Sequence, residues 1–190
     1  MMFFMATVNK IKDYKVHSGE VFFFDTNVWM HVFGPMAGTR PEEQQRYAQL
    51  LQDIKTARAS VFVSSLVITE YVNACLQIEF KIWKRKPENA EKLAVNHDFN
   101  FKRDFRPSLD YQIAIRNVKS QVKDILAVSD RIPDNFHRID VLPLFDWTNI
   151  DFNDAYYMRL CDEQSNKVTL VTDDKDILEN PNIKVELLTA

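Results

Sequence analysis

The stretch Val21-Phe22-Phe23-Phe24-Asp25-Thr26-Asn27-Val28-Trp29-Met30 decides how the rest of the chain is read. An apolar, Phe-rich run of strand length stops at an aspartate. Thr26 and Asn27 are residue types that favour helix starts, and they lead into a second apolar segment. A buried strand that ends in a carboxylate and turns straight into a helix is the layout of a parallel α/β sheet. Ligands of such sheets collect at the carboxyl ends of the strands. The plain alternative is that Asp25 merely caps the helix that follows.

Outward from this stretch the chain alternates strands and helices. A first strand near residues 20 to 24 precedes a short helix from about Thr26 to Phe33, which Gly34, Pro35 and Gly38 break. Pro41 opens a helix as a good first-turn residue, with Glu42 and Glu43 at its positive end, and it runs to about Ala57. Ser60 to Val63 is a short β-branched strand. Ser64 or Ser65 then caps a long helix through Trp83. Further on, Arg138 to Leu142 is expected as a short strand, and Asp151 caps a helix from about Phe152 to Gln164. Val168 to Thr172 is a strand that ends in acids, and a last strand covers Lys184 to Leu187. The pattern predicts an α/β fold: a three-layer α/β/α sandwich around a central, mainly parallel sheet.

Between residues 84 and about 134 the character changes. Pro87 and Glu88 suit a helix start. Val95 to Pro107 has no clean period and reads as a loop, and Tyr111, Ile115, Val118, Val122 and Ile125 mark a long helix that ends before Pro133. We read this as a helical insertion in a single domain spanning residues 1–190. Lys102, Arg103 and Arg106 are interleaved with Phe99, Phe101 and Phe105, beyond a cluster of Lys81, Lys84, Arg85 and Lys86. Cations among rings suit single-stranded RNA. The favoured reading is that the rings pin the loop to the core while the cations stay solvated.

Composition narrows the function. The chain has 190 residues, 46% of them hydrophobic and 27% charged, as a globular domain does. The net charge of -3 provides no global basic field for nucleic acid, and a local basic patch would have to serve. With only Gly19, Gly34 and Gly38, neither a dinucleotide fingerprint nor a P-loop can be written. Cys75 and Cys161 are isolated and read as buried thiols of a cytoplasmic protein. His17, His31, His97 and His137 form no zinc-type pair. No run suits a signal peptide or a membrane span, so no membrane role is expected.

The chemistry-bearing residues are acids. Glu70 shares a helix face with Leu66, Val67 and Ala74, an apolar stripe on which a carboxylate is costly unless paired or metal-bound. The alternative is a Glu reaching sideways to an Arg or to water. Asp154 stands in the first turn of its helix behind Asp151, where acids are favoured by the helix dipole alone. Asp173 and Asp174 end a buried strand, as Asp25 does, so parallel strands would bring these carboxylates to one edge of the sheet. Neighbouring like charges raise one another's pKa, and a hard divalent cation relieves that repulsion. All-oxygen ligands select Mg²⁺ or Mn²⁺.

At this point the sequence resembles a known family. Phe23-Phe24-Asp25-Thr26-Asn27, Ser65-Leu66-Val67-Ile68-Thr69-Glu70, Phe152-Asn153-Asp154-Ala155 and Leu170-Val171-Thr172-Asp173-Asp174-Lys175-Asp176 look like the four signature blocks of PIN-domain ribonucleases. Toxins of VapC-type toxin–antitoxin pairs belong to that family. The blocks come in order and span residues 20 to 187. The resemblance implies catalytic, metal-binding acids at Asp25, Glu70, Asp154 and Asp174, with Asp173 open as an alternative to its neighbour. Thr26, Asn27 and Thr172 match positions where the family carries small polar residues. The implied activity is a Mg²⁺- or Mn²⁺-dependent endoribonuclease acting on RNA phosphodiesters. A cognate antitoxin and a homodimer are partners that the resemblance admits.

The insertion at 84–134 departs from the compact toxin members and bears on the toxin assignment more than on the nuclease. The rival from another class is a catalytically silent PIN-like module that binds RNA or a protein. A phosphatase of another acidic α/β family lacks support, because Asp25 is followed by Thr26 and Asn27, without an Asp-x-Asp nucleophile motif.

Overall fold

The structure is a computed structural model that describes residues 7–89, 98–147, 149–164, 166–179 and 185–190. Its strands are β1 (Val8–Lys10), β2 (Val21–Phe24), β3 (Ser60–Val63), β4 (Asp130–Arg131), β5 (Val168–Val171) and β6 (Glu186–Thr189). They form one sheet in the order β1-β6-β5-β2-β3-β4, and every pairing is parallel. The main helices are α1 (Thr26–Val32), α2 (Pro41–Ala57), α3 (Ser65–Lys84), α4 (Leu109–Val128) and α5 (Phe152–Asp162), followed by a single turn, α6 (Lys175–Leu178).

The Phe-rich run is the sheet's centre. Phe22, Phe23 and Phe24 are each fully buried, a contribution on the order of 2 kcal/mol per ring. Side chains alternate along a strand, so the run serves both faces. Phe22 meets Tyr14 and Phe24 meets Trp29, whereas Phe23 packs on Tyr157 of α5. Only a sheet covered on both sides makes such a continuous apolar strand stable in water. The result is the expected α/β/α sandwich.

Chain order decides where the site can be. From β2 the chain moves through β3 to β4 on one side, then crosses back to β5 and β6 on the other. The carboxyl ends of β2 and β5, paired with Phe24 opposite Val171, are thus the switch point where parallel α/β sheets bind ligands.

Two expectations are corrected. Arg138 to Leu142 is not a strand. Asn135 adopts a left-handed φ of 52°, and its carbonyl accepts the amides of Arg138 and Ile139 at 2.8 and 3.1 Å. Leu142–Asp146 then forms a 3-10 turn opened by Pro143. The edge strands β1 and β4 lacked an apolar signal, since they are short and largely exposed. The last strand is Glu186–Thr189, two residues later than expected, and Lys184 lies outside the described residues. The helix expected after Pro87 and Glu88, and Val95 to His97 of the loop, fall mostly outside them too.

In the insertion, Phe101–Phe105 forms a π-helical turn capped by the Asn100 side chain. Phe105 is buried against Phe80, Trp83, Phe101 and Tyr111, and Phe99 packs on Trp83. These rings anchor the segment, Phe99 and Phe105 being buried and Phe101 partly so, while Lys102, Arg103 and Arg106 stay exposed. Phe80 lies ten residues past Glu70, roughly 15 Å along α3. The basic loop therefore sits toward the far end of that helix, away from the carboxyl edge. Among the described residues no helix is long and apolar enough to cross a membrane.

Candidate functional site

Asp25 follows the last residue of β2 and stands at the N-cap of α1, yet its side chain makes no capping bond. It is buried, and its Oδ2 accepts a hydrogen bond from the Thr172 hydroxyl at 2.9 Å. Thr172, fully buried at the end of β5, also accepts the Asp174 amide through the same oxygen at 3.0 Å. One threonine thus ties the first acid to the backbone of the last. Simple helix capping does not account for Asp25.

Glu70 reaches the same edge from α3. Its Oε2 accepts hydrogen bonds from the Thr26 hydroxyl at 2.7 Å and from the Tyr157 hydroxyl. No Arg approaches it: among the described residues none of Asp25, Glu70, Asp154 or Asp174 forms an ion pair. Asp154 enters from the first turn of α5. Behind it Asp151 occupies the N-cap but makes no side-chain capping bond. Asp174 caps the single turn α6, accepting the Asp176 amide on Oδ1 at 2.8 Å.

Asp25 and Asp154 sense the charges of the other acids. Burial pushes Asp25 up to about 6, against the hydrogen bond from Thr172, and the charges of Glu70 and Asp174 add to the rise. Burial pushes Asp154 up to about 8, helped by the charges of Asp25, Asp174 and Glu70. Four elements therefore bring carboxylates that form no ion pair among the described residues into one electrostatic neighbourhood at the carboxyl edge of the sheet.

Asp173 takes the opposite course. Its Oδ2 accepts the Tyr47 hydroxyl, and its Oδ1 accepts the Thr189 hydroxyl and, at 3.0 Å, the Ala190 amide. Burial alone would raise its pKa, but these donors and the nearby His31 bring it below the usual carboxylate value. Both oxygens of Asp173 are engaged on the side of α2 and β6, whereas Asp174 accepts the Asp176 amide and its charge acts on Asp25.

Sequence reasoning missed Tyr157 and Tyr47. Both are fully buried tyrosines at apolar helical spacing, where a ring reads simply as core. The buried hydroxyl was the available signal, since it must find a partner.

The donor set suits a hard divalent cation. It is all oxygen, several of its carboxylates are desolvated, and among the described residues no Lys or Arg neutralises them. Among the described residues, too, no three His, Cys, Asp or Glu side chains are gathered closely enough to hold an ion as they stand. Mutual repulsion between unneutralised carboxylates opposes such a closed arrangement.

Compared with known proteins, the chain matches no protein-family model, no curated protein and no solved structure.

Proposed function

We propose that this chain is a Mg²⁺- or Mn²⁺-dependent endoribonuclease of the PIN type, hydrolysing RNA phosphodiester bonds at the carboxyl edge of its sheet. The observation that carries the reading is that the charges of Glu70 and Asp174 act on Asp25, and those of Asp25, Asp174 and Glu70 on Asp154, while among the described residues none of the four forms an ion pair. The ion would be held by these four residues. When bound, it supplies charge stabilisation at the phosphate and a water of lowered pKa. Thr172 orients Asp25 and the Asp174 backbone, and the buried Asp25 resists reorientation toward solvent. The raised pKa of Asp154 belongs to the metal-free protein, and a bound cation would displace its proton.

The test is cleavage of a mixed RNA substrate pool by purified protein. The proposal expects cutting with Mn²⁺, none with a chelator, and at least roughly a hundredfold loss in Asp25→Asn and Asp154→Asn. Manganese binding without any RNA cleavage would favour a second reading, a silent module that binds RNA or protein. The lack of a preformed three-acid cage among the described residues is the observation on its side. The toxin form of the nuclease adds an antitoxin protein, which a small adjacent reading frame encoding a DNA-binding protein would favour. Light scattering on the purified chain reads whether it forms a homodimer. Two buried free cysteines suit a reducing compartment, so we assign the protein to the cytoplasm.

A further inference from the structure

We propose that Tyr157 and Thr26 are positioning residues that hold the Glu70 carboxylate by one oxygen and leave the other for the ligand of the acid cluster. This inference rests on the metal-centre reading above. Both hydroxyls donate to Oε2, and none of the hydrogen bonds among the described residues reaches Oε1. Two donors satisfy the lone pairs of one oxygen, which orients the whole planar group.

The two donors are themselves immobile. Tyr157 is fully buried with its ring 5.9 Å from that of Phe23, and Thr26 is 4% exposed and stiff at its β-branched carbon. Each donor also belongs to an element that carries another acid. Thr26 follows Asp25 directly, and Tyr157 lies one helical turn beyond Asp154 on the same face of α5. The clamp therefore fixes Glu70 relative to two other acids, as partners behind metal ligands do.

A purely structural role is the competing account, because a buried phenol needs an acceptor wherever it finds one. Mn²⁺ binding by calorimetry and metal-free thermal melts separate the two, using Tyr157→Phe, Thr26→Val and Thr26→Ser. A clamp predicts that Tyr157→Phe and Thr26→Val weaken Mn²⁺ binding about tenfold or more, while Thr26→Ser restores it. A structural role predicts lower melting temperatures with unchanged affinity of the folded protein, which overturns the clamp and leaves the metal centre standing. If Tyr157→Phe does not fold, the Thr26 pair carries the same comparison. A wild-type protein that binds no Mn²⁺ overturns the metal-centre reading, and the clamp with it.

Discussion

The Tyr47 hydroxyl on α2 donates a hydrogen bond to Asp173, a carboxylate 126 residues further along the chain. Together with Thr189 and the Ala190 amide it draws Asp173 toward α2 and β6. Asp174 shares none of these donors, and its amide instead donates to Thr172, which also donates to Asp25. Tyr47→Phe removes one donor from a half-buried carboxylate and should cost about 1–3 kcal/mol of stability in urea unfolding. A loss of only a few tenths would mean that Thr189 and Ala190 hold Asp173 unaided.

Stability of the metal-free protein should fall as pH rises. Folding raises the pKa of Asp25 to about 6 and of Asp154 to about 8, from ordinary values of 3.8. Between the unfolded and folded values the native state binds more protons. The associated stability is present below about pH 4 and is lost as pH rises through the folded values. Asp25 alone accounts for on the order of 3 kcal/mol at most. Asp154 is partly exposed, so solvent screening makes its contribution smaller than its higher pKa alone would suggest. Thermal melts across the range from the ordinary carboxylate value to that of Asp154 should show the decline, and Asp25→Asn should flatten its lower part. A cation that displaces those protons should reverse the slope. Metal-free melts that rise steadily over this range would contradict the assignment.

Glu70→Gln isolates charge from hydrogen bonding. The glutamine carbonyl can still accept from Thr26 and Tyr157, so the metal-free protein should keep its stability to within about 0.5 kcal/mol, or gain. The stabilisation produced by Mn²⁺ should shrink, since it reports affinity for the native state. Reduced stability with an unchanged response to Mn²⁺ would make Glu70 a structural acceptor only.

The insertion should be energetically important and remote from the site. Phe105 is 1% exposed within a group of rings from α3, α4 and its own turn. Truncation to Ala should cost about 3–5 kcal/mol in denaturant unfolding. Mn²⁺ affinity of the folded variant should stay at the wild-type value, because the ring packs on Phe80, about 15 Å along α3 from Glu70. An equally large fall in Mn²⁺ affinity would tie the insertion to the acid cluster.

Much of this architecture was decided by local chemistry that a linear reading can see. The Phe22–Phe24 run, the cap at Ser64 and the Pro41 start all act within a few residues, so those elements and their edges were legible. The acids at strand ends were legible for the same reason: a carboxylate that interrupts a buried strand has to lie at the edge of the sheet. Edge strands β1 and β4 were not, because pairing at the rim needs no apolar run and leaves only a backbone signature. The strand expected at Arg138 failed because Asn135 could take a left-handed turn that its neighbours reward with hydrogen bonds. That Tyr47 holds Asp173 and Tyr157 holds Glu70 depended on residues far away in the chain. Sequence determined that carboxylates gather at one edge of a parallel sheet. Tertiary structure alone decided how each is aimed, because a buried hydroxyl bonds to whatever acceptor packing brings within reach, and sequence distance does not constrain it.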